Sequence, residues 1–258
     1  LSIIQIAVVI GLIAGVFMIY KQFDLVLKQK LGFDKSNLVA ISNVYDNTDK
    51  VYSAFKSELL KSPAVQGVTA TWNAPGENLS NGGRLIFTVN GEEKKINIKI
   101  APTDEDFFKV VKAKFLIGRS YDATDSSKMV INRKCLEELG VDNPVGMKVV
   151  RRFDGDKEFE ICGVIDDIQY NSIHTEDEPA VYTLNKYLFE YLVRLAPGNT
   201  VKNIASIEQT WNRFVPDEAF QYHFVDQDIA NSYKREIRTQ KLLIVMSLLS
   251  VIIAMLGL

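Results

Sequence analysis

The chain has 258 residues, and its 30 Lys and Arg are balanced by 32 Asp and Glu, for a net charge of −2. Nothing in that balance suggests the basic surface that nucleic-acid binding requires, so no nucleic-acid partner is expected. Apart from two apolar ends, the composition is that of an ordinary globular protein with room for one large domain or two small ones.

Leu1–Tyr20 reads LSIIQIAVVIGLIAGVFMIY without a charge, which matches the ~20 apolar residues that span a bilayer. No basic stretch precedes it and no small-x-small cleavage pattern follows, so it reads as a transmembrane helix and not as a signal peptide. Gly11 and Gly15 form a GxxxG pair that lets two membrane helices approach closely; glycine is also simply common in such helices. Beyond it, Phe23, Val26, Leu27 and Leu31 recur on one helical face among Lys21, Gln22, Asp24, Lys28 and Gln29. This spacing predicts an amphipathic stalk over 21–35, stopped near Gly32.

Asn37–Ile41 (NLVAI) reads as a strand. Asp49–Leu60 reads as a helix with Val51, Phe55, Leu59 and Leu60 on one face, broken at Pro63, and Val65–Trp72 as a second strand. The turn-rich NAPGENLSNGG follows. Leu85–Val89 and Lys95–Ile100 flank Asn90-Gly91, a hairpin signal, and Val149–Phe153 and Phe159–Val164 flank Asp154-Gly155-Asp156. A short helix over Asn132–Leu139 ends at Gly140 as C-cap. Tyr191–Leu195, Val201–Phe214 and Phe220–Phe224 repeat the strand, helix, strand order. Ile229, Tyr233 and Ile237 then mark a second amphipathic stalk over 226–241, and Leu242–Leu258 is again uncharged.

These elements predict an α+β fold. Two β-α-β units, 36–72 and 186–225, build one membrane-proximal α/β subdomain from both halves of the chain, with 73–185 inserted as a mostly-β subdomain. Helical stalks and transmembrane helices flank it. With a membrane helix at each end, the start and finish of the polar region must lie close together at one membrane face. The chain begins without Met and stops while still apolar, and it reads as an excerpt from a longer membrane protein.

No catalytic constellation stands out. His174 and His223 lack carboxylates at ligand spacing, so no metal or other cofactor is expected. Neither GxSxG nor HExxH occurs. The glycines of Gly140–Lys148 have the wrong spacing for a phosphate loop and read as a turn. Asp166-Asp167 reads as a turn after the strand Phe159–Ile165, since neighbouring strand residues point to opposite faces. Cys135 and Cys162 could form one disulfide in an oxidising compartment; their helix-like and strand-like surroundings favour two small buried apolar residues.

Several passages resemble the extracytoplasmic domain of MacB/FtsX-type ABC transporter permeases. They are KLGFDKSNLVAI (Lys30–Ile41), FKSELLKSPAVQGVTATWNAPG (Phe55–Gly76), DFFKVVKAKFLIGR (Asp106–Arg119), Met129–Lys148, and ICGVIDDIQYNSIHTEDEP (Ile161–Pro179). The positions that carry the likeness are Gly118, Arg119, Asn132, Gly140, Pro144, Gly146, Gly163, Val164, Asp167 and Pro179. The chain departs at Arg133, where the family often has Glu, and at Ile168, where it often has Phe. These motifs are structural, so the departures leave the assignment standing. The Gly32-Phe33-Asp34 exit resembles the second of two such repeats in longer permeases of Gram-negative bacteria.

The resemblance implies a protein of the bacterial inner membrane, with residues of about 21–241 on the periplasmic side. It implies no enzymatic site in this chain, a cytoplasmic ABC ATPase as partner subunit or domain, a homodimer or pseudo-dimer of permease repeats, membrane lipid around the helices, and a periplasmic adaptor as a further partner. ATP hydrolysis would move the stalks and so the periplasmic domain, serving efflux or lipoprotein or peptide export. A hinge would lie near Asn73–Gly76 and Tyr182–Asn185. The alternative is the extracytoplasmic sensor domain of a histidine kinase or chemoreceptor, which also stands between two membrane helices. A membrane-anchored hydrolase is disfavoured because no nucleophile–base set is present.

Overall fold

A computed structural model describes residues 10, 11, 14, 15, 17, 18 and 21, and then 31–42, 49–89, 91–151, 157–170 and 178–256. The chain divides into two compact units, one of 1–30 with 229–258 and the other of 31–228.

In the second unit, β1 (Leu38–Ser42), α1 (Asp49–Leu59) and β2 (Val65–Thr71) form at the first predicted strand, helix and strand. At the far end β10 (Glu190–Leu195), α4 (Thr200–Phe214) and β11 (Tyr222–Phe224) form the second set. Asn199 starts α4 by accepting a hydrogen bond from the Lys202 amide at 3.1 Å, an N-cap that satisfies one orphan donor.

The two β-α-β units interleave and do not stand side by side. The strand order is β11-β1-β10-β2, and every neighbouring pair is antiparallel. Each unit's two strands are therefore parallel and separated by a strand of the other unit, a split β-α-β arrangement. Val39 and Ile41 of β1 share one face with Val68, Ala70, Tyr191 and Val193. Phe55 and Leu59 of α1 and Ile204, Ile207 and Trp211 of α4 pack onto that face. The Phe55 and Trp211 rings meet edge to face at 5.7 Å. Burying each of these large apolar side chains contributes roughly 1.5–3 kcal/mol.

Residues 73–185 build the other half of the sheet. β3 (Gly82–Val89) and β4 (Glu92–Thr103) form the first hairpin, with Val89 opposite Glu92 across the predicted Asn90-Gly91 loop. α2 (Phe107–Val111) and β5 (Phe115–Gly118) follow. Then come β6 (Lys128–Asn132), α3 (Arg133–Leu139), β7 (Lys148–Arg151), β8 (Lys157–Ile165) and β9 (Ala180–Leu184). The second predicted hairpin is the β7–β8 pair, with Arg151 opposite Lys157. Its loop, 152–156, lies outside the described residues.

Pairing runs β4-β3-β7-β8-β6-β9, and β9 returns to β4 as a parallel neighbour. The six strands close on themselves, and closure removes exposed strand edges. Leu85, Phe87, Ile96, Ile98, Met129, Ile131, Phe159, Ile161 and Val164 fill this ring, with Cys135 and Leu139 of α3. A single register pair, Thr71 opposite Thr103, joins β2 of the interleaved sheet to β4 of the ring.

In the first unit, residues 10, 11, 14, 15, 17, 18 and 21 are helical, with Ile10, Phe17 and Met18 exposed. α5 runs without a break over Val225–Leu256, and Leu242, Val245, Met246, Leu249 and Ile252 are exposed along it. Among the described residues no helix is long and apolar enough to cross a membrane. The expected span over Leu1–Tyr20 and the stalk positions Phe23, Val26 and Leu27 fall wholly or largely outside the described residues.

Candidate functional site

The two ends of the 31–228 unit meet on adjacent strands. Val39, next to the start of β1, lies opposite Phe224, the last residue of β11, where α5 begins. The segment leading into β1 is fixed more firmly than a linker requires. Gly32 adopts a left-handed φ of 74°. A Cβ there would stand 1.8 Å from the Asp167 carbonyl oxygen, so only glycine fits. The Gln169 amide donates to the Leu31 carbonyl at 3.1 Å, and the Asp34 amide to the Val111 carbonyl at 2.9 Å.

Arg194 completes this anchor. It lies in β10 and is almost fully buried. Its Nε donates to the Val110 carbonyl at 2.6 Å, and its terminal nitrogens to the Ser36 and Asp34 carbonyls at 2.7 and 2.6 Å. One guanidinium thus ties the incoming segment, the C-terminal end of α2 and β10 together. Its planar fork of donors suits three convergent carbonyls in a way that a lysine cannot. The Asp34 carboxylate accepts from Lys112 at 2.7 Å and from the Ser36 amide at 2.9 Å. Burial opposes its ionisation, but these donors and the Arg194 charge outweigh it and hold the carboxyl at about 2.

Asp104, at the exit of β4, makes a second tie. It accepts from the hydroxyls of Tyr52 and Thr69 and from Lys56 Nζ at 2.8 Å. Lys56 also reaches Asp106 at 2.7 Å, and the Asp104 amide donates to the Ala70 carbonyl at 3.0 Å. Burial pushes the Asp104 carboxyl upward, while Lys56, Thr69 and Tyr52 stabilise its charge. Burial works against the Lys56 ammonium too, but the Asp104 charge prevails and raises it. The network joins α1 and β2 to the segment that starts α2.

The two crossings between sheet and ring are held by backbone hydrogen bonds. The Trp72 amide donates to the Pro102 carbonyl at 3.1 Å, that of Gly76 to Gln169 at 3.0 Å, and that of Asn185 to Thr103 at 3.0 Å.

The motif residues fall into two groups, with Asp167 apart from both. Gly118 and Gly163 let β5 and β8 touch: a Cβ on Gly118 would lie 2.3 Å from the Cys162 carbonyl oxygen, and one on Gly163 2.3 Å from that of Arg119. Val164 is buried inside the ring, and the Arg119 guanidinium bonds Asp125 at 2.9 Å. Around α3, the Asn132 side chain accepts from the amides of Cys135 and Ala180, both at 2.9 Å, and donates to the Glu178 carbonyl at 2.9 Å. It caps the helix and pins the chain on both sides of Pro179. Gly140 is the left-handed C-cap, and Pro144 and Gly146 make the turn into β7. Asp167 links α3 to the entering segment, because its carboxylate accepts from the Lys134 amide at 3.0 Å while its carbonyl abuts Gly32. Arg133, at a departure from the family pattern, pairs with Asp166 at 2.8 Å.

Leu31 is half-buried at the anchor and Ile229 is buried; Tyr233 and Ile237 belong to α5, and their side chains are not among the described ones. Gly11 and Gly15 are exposed, with no described atom within 4 Å of where a Cβ would stand. Cys135 and Cys162 are free and buried. Burial pushes their thiols up to about 12 and about 11, so both stay protonated and unreactive. His174 lies outside the described residues.

Sequence reasoning missed Arg194 and Asp104. The one available signal for Arg194 is a lone charge in the otherwise apolar strand YLVRL. Asp104 stands among the acidic run DED, which reads as a solvated loop.

The family profile of the MacB-like periplasmic core domain matches residues 1–209. Two solved structures share the fold. The periplasmic region of MacB from Actinobacillus actinomycetemcomitans is 16% identical with a TM-score of 0.52, over 83% of this chain and 97% of that one. A domain of a candidate permease protein from Porphyromonas gingivalis is also 16% identical, with a TM-score of 0.51 over 74% of this chain and 90% of that one. No curated protein matches the chain in sequence.

Proposed function

This chain belongs to the MacB-like periplasmic core domain family, and from that premise we propose that it is the force-receiving part of an ABC transporter permease. A partner ATPase, as separate subunit or fused domain, hydrolyses ATP in the cytoplasm. The flanking helices cross the inner membrane and carry the resulting motion outward as stalks. The 31–228 unit, in the periplasm, converts it into a conformational change that drives efflux or lipoprotein or peptide export. Gly11 and Gly15 would seat a helix of a second permease copy or repeat, and membrane lipid surrounds the rest. A periplasmic adaptor would complete the route outward. The hinge would be the two crossings at Asn73–Gly76 and Tyr182–Asn185.

The observation that best supports this reading is the entry and exit of the chain on neighbouring strands, with Val39 opposite Phe224. A displacement of either flanking helix would act on the same edge of one sheet. The Gly32–Asp167 and Arg194 ties would pass it on to the closed ring. With the family shown, the receptor-sensor alternative has no observation in its favour.

The partner ATPase, reconstituted in lipid with and without the permease, tests the reading. Coupling predicts that the permease changes the ATPase rate, and that Arg194→Lys weakens this effect while assembly is retained. An ATPase rate indifferent to the permease would overturn the proposal.

A further inference from the structure

Glu77, Glu190 and His223 converge on the interleaved sheet, from positions far apart in the chain. Glu190 is the first residue of β10, His223 lies in β11, and Glu77 sits on the crossing that leaves β2. One ligand atom from each lies within 4.8 Å of the others. We propose that these three side chains form a binding site for a divalent transition-metal ion of the zinc class.

The mutual orientation of the groups supports this assignment. Asp228 binds Nδ1 of His223, which leaves Nε2 with its lone pair directed away from that carboxylate. Nε2 stands 4.0 Å from Oε1 of Glu190. That is too long for a direct hydrogen bond, and close to the separation of about 3.4 Å between two ligands that sit ~2.1 Å from one tetrahedral ion. The other oxygen of Glu190 is occupied, because Oε2 accepts from the Ala74 amide at 2.7 Å. Two of the three ligands, His223 and Glu190, therefore have an outer partner that fixes their orientation, and the Asp228–His223 pair is the carboxylate–histidine arrangement typical of bound metal. An imidazole nitrogen combined with carboxylates favours zinc and its neighbours over calcium or magnesium, which prefer oxygen alone. The bound ion would fasten the Ala74–Glu77 crossing to β10 and β11.

The test uses the full chain in detergent, stripped with EDTA and titrated with zinc in competition with a chromophoric chelator. One zinc per chain is expected to bind saturably. Glu190→Gln, which retains an acceptor for the Ala74 amide, and His223→Ala should each abolish this binding. Asp228→Asn should weaken it by about 10–100-fold. A Cys135→Ser/Cys162→Ser variant should bind as the wild type does. X-ray absorption on the zinc-loaded wild type should show one imidazole and oxygen ligands without sulfur, a readout independent of how the variants fold. Absence of saturable binding, binding that survives His223→Ala with Glu190→Gln, or sulfur in the first coordination sphere would each overturn the site.

Discussion

Gly32 and Arg194 carry the most consequence at the scale of single residues. Gly32→Ala adds a Cβ at a positive φ and directs it into the Asp167 carbonyl. The change should cost about 3 kcal/mol, combining backbone strain with displacement of the incoming segment. Urea unfolding of the purified chain measures it, and a loss under about 1 kcal/mol would show that the contact relaxes freely. Asp34 gives a pH signature. Its folded value of about 2 lies below the ordinary 3.8, so its contribution is present above pH 4 and is lost as pH falls through 4 to 2. Because a third of the side chain is exposed to solvent, the contribution is about 1 kcal/mol after screening. Asp34→Asn should flatten the stability profile in that window; a profile of unchanged slope would count against the Lys112 and Ser36 bonds as its source. Gly140 was legible as a C-cap and Asn90-Gly91 as a hairpin turn, because both depend on a few consecutive residues. Arg194 was not, because its three acceptors belong to Asp34, Ser36 and Val110, which only the folded chain brings together.

The short helix α3 shows how one residue positions a whole element. Asn132 supplies the N-cap and also holds Glu178 and Ala180 where the chain enters the neighbouring strand β9. Asn132→Ala should therefore cost more than the ~1 kcal/mol of an ordinary cap. A loss of about 2–3 kcal/mol is expected, since the buried Ala180 amide also loses its acceptor. A loss confined to about 1 kcal/mol would mean that water replaces the strand contacts. The helix over Asn132–Leu139 was readable from its apolar spacing and Gly140; the second duty of its first residue was not. The elements not legible were α2, β5, β6 and β9. Each has five residues or fewer, so apolar periodicity alone cannot declare a type, whereas the equally short β1, β7 and β11 were marked by the helix or turn signals beside them.

At the largest scale, the 31–228 unit begins and ends on neighbouring strands, with Val39 opposite Phe224. If the flanking helices act as levers, a disulfide engineered across them should abolish transport driven by the partner ATPase. Thermal unfolding of the 31–228 unit should be unchanged, and a reductant should restore transport. Undiminished transport in the oxidised protein would remove lever motion from the mechanism. The expectation that the polar region's ends lie together agrees with Val39 facing Phe224.

The sequence by itself determined the apolar ends, the two strand–helix–strand sets, both hairpins and the capped helix. Periodicity, turn chemistry and caps act within a few residues, so the local chain suffices to specify them. Only the tertiary structure decided that the two sets interleave, that β9 closes the ring against β4, and that Gly32, Arg194 and Asp104 bind distant segments together. A strand's partner is chosen by which sheet face finds a helix to cover it and which edge finds a strand to pair with. Those choices involve residues more than a hundred positions apart, as Arg194 with Asp34 shows, and no local pattern carries that information.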